Sequence, residues 1–131
     1  MGVRHFTDLA AWQRADDLRR FVLDQTSAGP IVQDWKFRTQ LRDASDGVCR
    51  NLAEGFGRYG HREFARFTTI AKGSLDEVED ALIAAHAKRY IDDETLAVGT
   101  AKIRRTAAAV VGLLKYLRST MEPEPPTQSP D

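Results

Sequence analysis

Asn51-Leu52-Ala53-Glu54-Gly55-Phe56-Gly57-Arg58 and, a few turns downstream, Gly73-Ser74-Leu75-Asp76-Glu77-Val78-Glu79 decide how this chain is read. Both runs lie in sequence whose apolar residues recur at steps of three and four, the periodicity of an amphipathic helix. Both also place small or polar residues where a good helix former is expected, and a glycine alone costs a helix interior about 1 kcal/mol against alanine. A close approach of another helix, or a helix end, is the physical reason for such residues to sit there.

Outward from these runs the pattern resolves into four helices. The spacing predicts a first helix over about residues 7–26, with Thr7 or Asp8 as N-cap and a stripe of Ala11, Ala15, Leu18 and Val22. Ser27-Ala28-Gly29-Pro30 ends it. The second, over about residues 33–56, buries Phe37, Leu41, Ala44, Val48 and Leu52. The third, over about residues 62–88, carries Phe64, Phe67, Ala71, Leu75, Val78, Leu82 and Ala85. Asp92-Asp93-Glu94 then sets negative charge at the positive end of a fourth helix dipole. That helix bears Leu96, Ile103, Ala107, Val110, Leu114, Leu117 and Met121 in a coiled-coil-like register. Short connections between helices of similar length favour an all-α, antiparallel up-and-down four-helix bundle over residues 1–121. Residues 122–131, rich in proline and carrying three acids, read as a disordered tail.

The third helix has a second line of residues opposite its Phe64 and Phe67 stripe. Projected at about 100° per residue, Glu63, Arg66, Ile70, Gly73, Glu77, Asp80 or Ala81, and Ala84 fall together. Ile70, Gly73, Ala81 and Ala84 make a shallow, partly apolar groove in which another helix can settle. The second helix shows a similar flank of Gln40, Gly47, Asn51 and Glu54. Two readings stand: a subunit interface in which Asn51, Glu54 and Glu77 form a polar network, with Ser74 permitting close packing, or a solvated face that happens to hold small residues.

The two opening runs, in this order and at this separation, resemble the signature of the bacterial four-helix-bundle family named for the protein encoded in 23S rRNA intervening sequences. That family also contains accessory proteins of diversity-generating retroelements. The resemblance extends over about residues 6–117 and implies a ring of five bundles around an axis, hence a closed homo-oligomer, with a non-catalytic accessory role on nucleic acid. Gly47 stands where relatives usually have Ser, and Cys49 where many have Pro.

Composition bounds the remaining choices. A chain of 131 residues with 42% hydrophobic and 29% charged residues is a single domain of globular type, with no apolar run long enough to span a bilayer. The amino terminus lacks a long apolar stretch, and Phe6 stands where a myristoylation motif needs Ser or Thr, so a cytoplasmic protein is expected. Cys49 is the one cysteine, which excludes an internal disulfide and points to a buried, inert thiol. Bases and acids both number 19, yet three of the acids fall in the tail, leaving a body of 19 bases against 16 acids. Symmetry multiplies that modest excess.

Several site chemistries find little support. Gly55-Phe56-Gly57-Arg58-Tyr59-Gly60 matches GxGxxG, but a helix leads into it where the dinucleotide fingerprint needs a strand, so Gly55, Gly57 and Gly60 read as a helix C-cap and tight turn with positive φ at one or more of them. A di-iron bundle needs paired Glu-x-x-His motifs, and His5, His61 and His86 have none, so no metal or cofactor is expected. Ser74 with Glu77 forms no recognisable nucleophile motif, and no catalysis is expected.

Basic residues gather in two places: Arg58 and Arg62 around Tyr59, and Lys102, Arg104 and Arg105 on the fourth helix. Either is a candidate phosphate contact, with Tyr59 able to stack on a base, although a solvated surface of local ion pairs is the plainer reading. The function expected is thus a nucleic-acid-associated accessory or scaffold protein whose partners are itself and RNA or DNA. The alternatives are a protein-interaction scaffold without nucleic acid and an enzyme with an intersubunit site.

Overall fold

The computed structural model describes residues 2–121 and contains four long helices and two short 3-10 turns. Helix α1 spans Ala10–Gln25, α2 Trp35–Phe56, α3 His61–Ala87 and α4 Asp93–Ser119. No strand occurs among the described residues, and the expected tail over residues 122–131 lies outside them. Each helix packs on its neighbours in a closed square: α1 on α2, α2 on α3, α3 on α4 and α4 back on α1.

Side-chain neighbours show that all four seams run antiparallel. Between α2 and α3, Gly55 meets Phe64 and Phe67 while Gly47 meets Ser74. Between α3 and α4, Leu82 packs at Gly99 and His86 reaches Asp93 at 2.6 Å. Lys102 donates to Asp17 at 2.7 Å across the α1–α4 seam, and Arg19 faces Asp46 at 3.9 Å across α1–α2. Connections as short as the Gly57–Gly60 turn leave no other direction for the chain to take.

The stripes read from periodicity form most of the core, although Phe37 and Phe67 stay half-exposed at the outer edge of the α2 and α3 stripes. Ala11, Ala15, Leu18 and Val22 of α1, Leu41, Val48 and Leu52 of α2, and Ala71, Leu75, Val78 and Leu82 of α3 are all buried. Helix α4 keeps a heptad spacing but turns its stripe, so that the row beside Ile103, Val110 and Leu117 is not mainly the expected Ala107, Leu114 and Met121. Gly99, Thr106 and Leu113 are buried, while Leu96, Ala107 and Met121 are half-exposed. Gly99 is buried because Phe21 and Leu82 both press on it: a methyl there would lie 2.9 Å from each. Thr106 is tolerated because its hydroxyl donates to the Lys102 carbonyl at 2.8 Å, as those of Thr26 and Thr68 do to Val22 and Phe64. No buried side-chain polar atom among the described residues lacks a partner.

Helix ends depart from expectation in instructive ways. Helix α1 starts at Ala10, behind a 3-10 turn over Phe6–Asp8, so neither Thr7 nor Asp8 is its N-cap; His5 caps the short turn instead, with its ring accepting from Thr7 N. Its other end is held from α2. Thr26 Oγ1 accepts from Arg42 Nε at 2.8 Å and the Thr26 carbonyl accepts from Arg38 Nε at 2.7 Å, which sets two guanidinium groups at the negative end of the α1 dipole. Helix α4 begins as its acids suggest, with Asp92 accepting from Thr95 N at 2.8 Å. Helix α3 closes on Arg89 at φ 64, with Arg89 N donating to His86 O and Tyr90 N to Ala85 O, a Schellman motif built without glycine.

The three turn glycines separate into different jobs. Gly60 alone has positive φ, at 83°. Gly57 is the C-cap of α2 in ordinary helical conformation. Gly55 lies inside α2 and is buried, where a methyl would stand 2.8 Å from Phe67 Cβ and 2.9 Å from Phe64 Cδ1. Its part is to let α3 cross closely, not to turn the chain.

Candidate interface groove and nucleic-acid contacts

On the outer side of the α2–α3 seam the two flanks seen in the sequence meet in an open groove of about 710 Å³. Gly47 makes the close approach. A methyl there would be 3.0 Å from Ser74 Oγ, so the absent side chain brings the helices together and keeps the floor shallow. Ala81 and Ala84 continue the floor along α3, and Glu77 and Asp80 stand on its edge. Asp43, Asp76 and Arg50 also line it and were not singled out from the sequence. The signal was present, since Asp43, Gly47 and Arg50 follow one another at steps of four and three on α2.

Ile70 and Gly73 lie on the same row of α3, exposed; Ile70 retains 42% of its surface. Apart from its own helical backbone, nothing among the described residues comes within 4 Å of a methyl at Gly73. The expected polar network does not form within one chain. Asn51 Nδ2 turns back to the Gly47 carbonyl at 2.8 Å. Glu54 is exposed and accepts from Arg58 Nη2 at 2.6 Å, an i,i+4 pair on its own helix. Glu77 faces solvent. Helical geometry explains the failure, because Glu54 sits two turns from Gly47 and beyond the reach of Glu77's side of the groove.

The two basic clusters differ. At the α2–α3 turn Tyr59 is fully exposed and Arg58 stacks on Phe67 at 5.2 Å, a ring that Arg66 also covers at 4.6 Å. Arg62 is exposed at the start of α3. Phe67 thus collects guanidinium groups next to an unpacked tyrosine. The α4 cluster divides. Lys102 is turned toward α1 and tied to Asp17, while Arg104 points to the α3–α4 side, near His86, and Arg105 is exposed between them. Lys102 is therefore engaged in the bundle and does not share a patch with Arg104.

The remaining chemistry is quiet. Cys49 is buried, and burial pushes its thiol up to about 11, far from the range in which a thiolate attacks at neutral pH. No group of three or more His, Cys, Asp or Glu that could hold a metal ion exists among the described residues. Nor, among them, is any helix long and apolar enough to cross a membrane.

The class that the fold defines is the all-helical four-helix bundle, here with an open groove along the α2–α3 seam and basic and aromatic side chains at the turn between those helices. The comparison with known families makes this specific: the chain belongs to the 23S rRNA-intervening sequence protein family, whose model matches residues 7–112. No curated protein matches it.

Proposed function

We propose that this chain is a non-catalytic, cytoplasmic accessory or scaffold protein that assembles into a closed homo-oligomer, with five copies the best number, and holds RNA or DNA through its phosphate backbone. The observation that carries the reading is the α2–α3 turn, where a fully exposed Tyr59 stands between Arg58 and Arg62. A ring without packing in its own chain is free to stack on a base, worth about 1 to 3 kcal/mol, while guanidinium groups pair with phosphates. The family's name, which refers to 23S rRNA, supports nucleic acid as the partner. Assembly around an axis repeats the turn in every copy, so weak single contacts add through multivalency.

A salt titration with short single-stranded and duplex RNA and DNA tests this. The affinity is expected to fall linearly on a log–log scale, by about 0.7 decades per decade of salt for each phosphate contacted on a single strand. Tyr59→Ala should weaken single-strand binding roughly tenfold with little change in that slope, whereas Arg58→Ala should lower the slope. Absence of binding at low salt would leave a scaffold that engages only protein.

A further inference from the structure

The outer face of α4 and the groove between α2 and α3 are complementary in charge and in shape. After Glu94, α4 carries five basic residues and no acid, and of these Arg104, Arg105, Lys115 and Arg118 are exposed. The groove presents Asp43, Glu77 and Asp80 beside Arg50, together with Asp76, which accepts from Lys72 Nζ at 2.7 Å. Between its charges the α4 face is flat: Ala97, Ala101 and Ala108 are exposed at helical spacing, with Val111 keeping 36% of its surface beside them. The groove floor of Gly47, Ala81 and Ala84 is equally shallow.

Two exposed glycines flank these surfaces, Gly73 beside the groove on α3 and Gly112 on the α1 side of the α4 face, near Val3, Leu9 and Ala10. Both lie in mid-helix with no positive φ, and apart from its own helical backbone a methyl at either would meet nothing within 4 Å among the described residues. Each weakens its helix relative to alanine, and nothing within the chain requires it. Gly73 stands where the backbone of a second helix would come close.

We propose that α4 of one copy lies in the α2–α3 groove of the next, with Arg104 and Arg105 facing Glu77 and Asp80 and with Gly73 at the closest approach. The contact joins two different faces and is therefore head-to-tail, the kind that generates a ring when the rotation closes. The inference rests on the assembly proposed above and adds the surfaces that build it. It also moves Arg104 and Arg105 from nucleic acid to a neighbouring copy, which leaves Arg58, Tyr59 and Arg62 as the nucleic-acid contacts.

Charge reversal tests the pairing. All four positions are exposed, so Arg104→Glu with Arg105→Glu, and separately Glu77→Arg with Asp80→Arg, should leave helical content and monomer folding intact. Sedimentation equilibrium is expected to show each double variant dissociating at concentrations at least tenfold above those at which the wild type does, and the four substitutions combined in one chain should restore assembly. Gly73→Leu supplies a steric check, since outside its own helical backbone a methyl there meets nothing within 4 Å among the described residues, and it should dissociate the assembly. A wild type that assembles while both double variants assemble equally well, or a combined variant that stays dissociated, would overturn the pairing and leave the oligomer standing. A wild type that remains monomeric at high micromolar concentration would remove the assembly itself.

Discussion

Gly55, read from the sequence as a turn glycine, and Gly73, read as the floor of a groove, both prove to lie inside helices, yet with opposite surroundings. Around Gly55, Phe64 and Phe67 leave no room for a side chain, while Gly73 opens onto empty space. Gly55→Ala must therefore push α3 outward or force Phe64 off its rotamer, and overpacking of that kind costs about 1 to 3 kcal/mol even though alanine favours the helix. Urea unfolding should show that loss; an unchanged or raised midpoint would mean the α2–α3 crossing is looser than described. The difference was not legible beforehand, because it depends on what the opposite helix places there. Periodicity gives a residue's own face and says nothing of its partner's bulk. For Lys102 the same holds: its carboxylate, Asp17, is 85 residues away. Glu54 was more accessible, since Arg58 lies four positions on, a pairing that helix geometry favours without help from the rest of the chain.

At the scale of elements, the connections hold more than the sequence suggested. Before α2, Asp34 accepts from Tyr90 Oη at 2.7 Å and from Lys88 Nζ at 3.2 Å, and Lys88 also lies over Phe37 at 4.9 Å. The α3–α4 connection is thereby fastened to the start of α2, at the end of the bundle away from Tyr59. The Tyr90 hydroxyl, and after it Lys88, holds the Asp34 carboxyl below the usual aspartate range. A depressed carboxylate contributes stability above its unfolded value, about pH 4, and loses it as pH falls through the folded value. Tyr90→Phe removes the larger cause, so its urea midpoint should start lower at pH 6 and decline less between about pH 4 and pH 2 than that of the wild type. Parallel declines would show that Asp34 is not the group responsible. Helix existence and the stripes of α1 to α3 were legible because each is set by residues within one segment. The start of α1 was not, since a 3-10 turn and an α-helix share the same polar signals over so few residues.

For the molecule as a whole, the square of helices has three seams that join consecutive elements and one, α1 against α4, that joins the ends of the chain. The three local seams close short loops, but the fourth must bring together segments about eighty residues apart, a larger entropic cost to be met before its contacts repay it. Phe21 against Gly99 and Asp17 with Lys102 are its fastenings. The order of folding follows: the hairpins form first and the α1–α4 seam zips last, after the rate-limiting barrier. Phe21→Leu should accordingly speed unfolding and leave the folding rate nearly unchanged, a φ-value near zero, whereas Leu75→Ala in the α2–α3 hairpin should slow folding. Stopped-flow chevrons on the two variants would reverse this account if Phe21 proved the one that slows folding. A chain organised this way is also easiest to open along that same line, so slow hydrogen exchange should fail first in α1 and α4 and last where α2 meets α3.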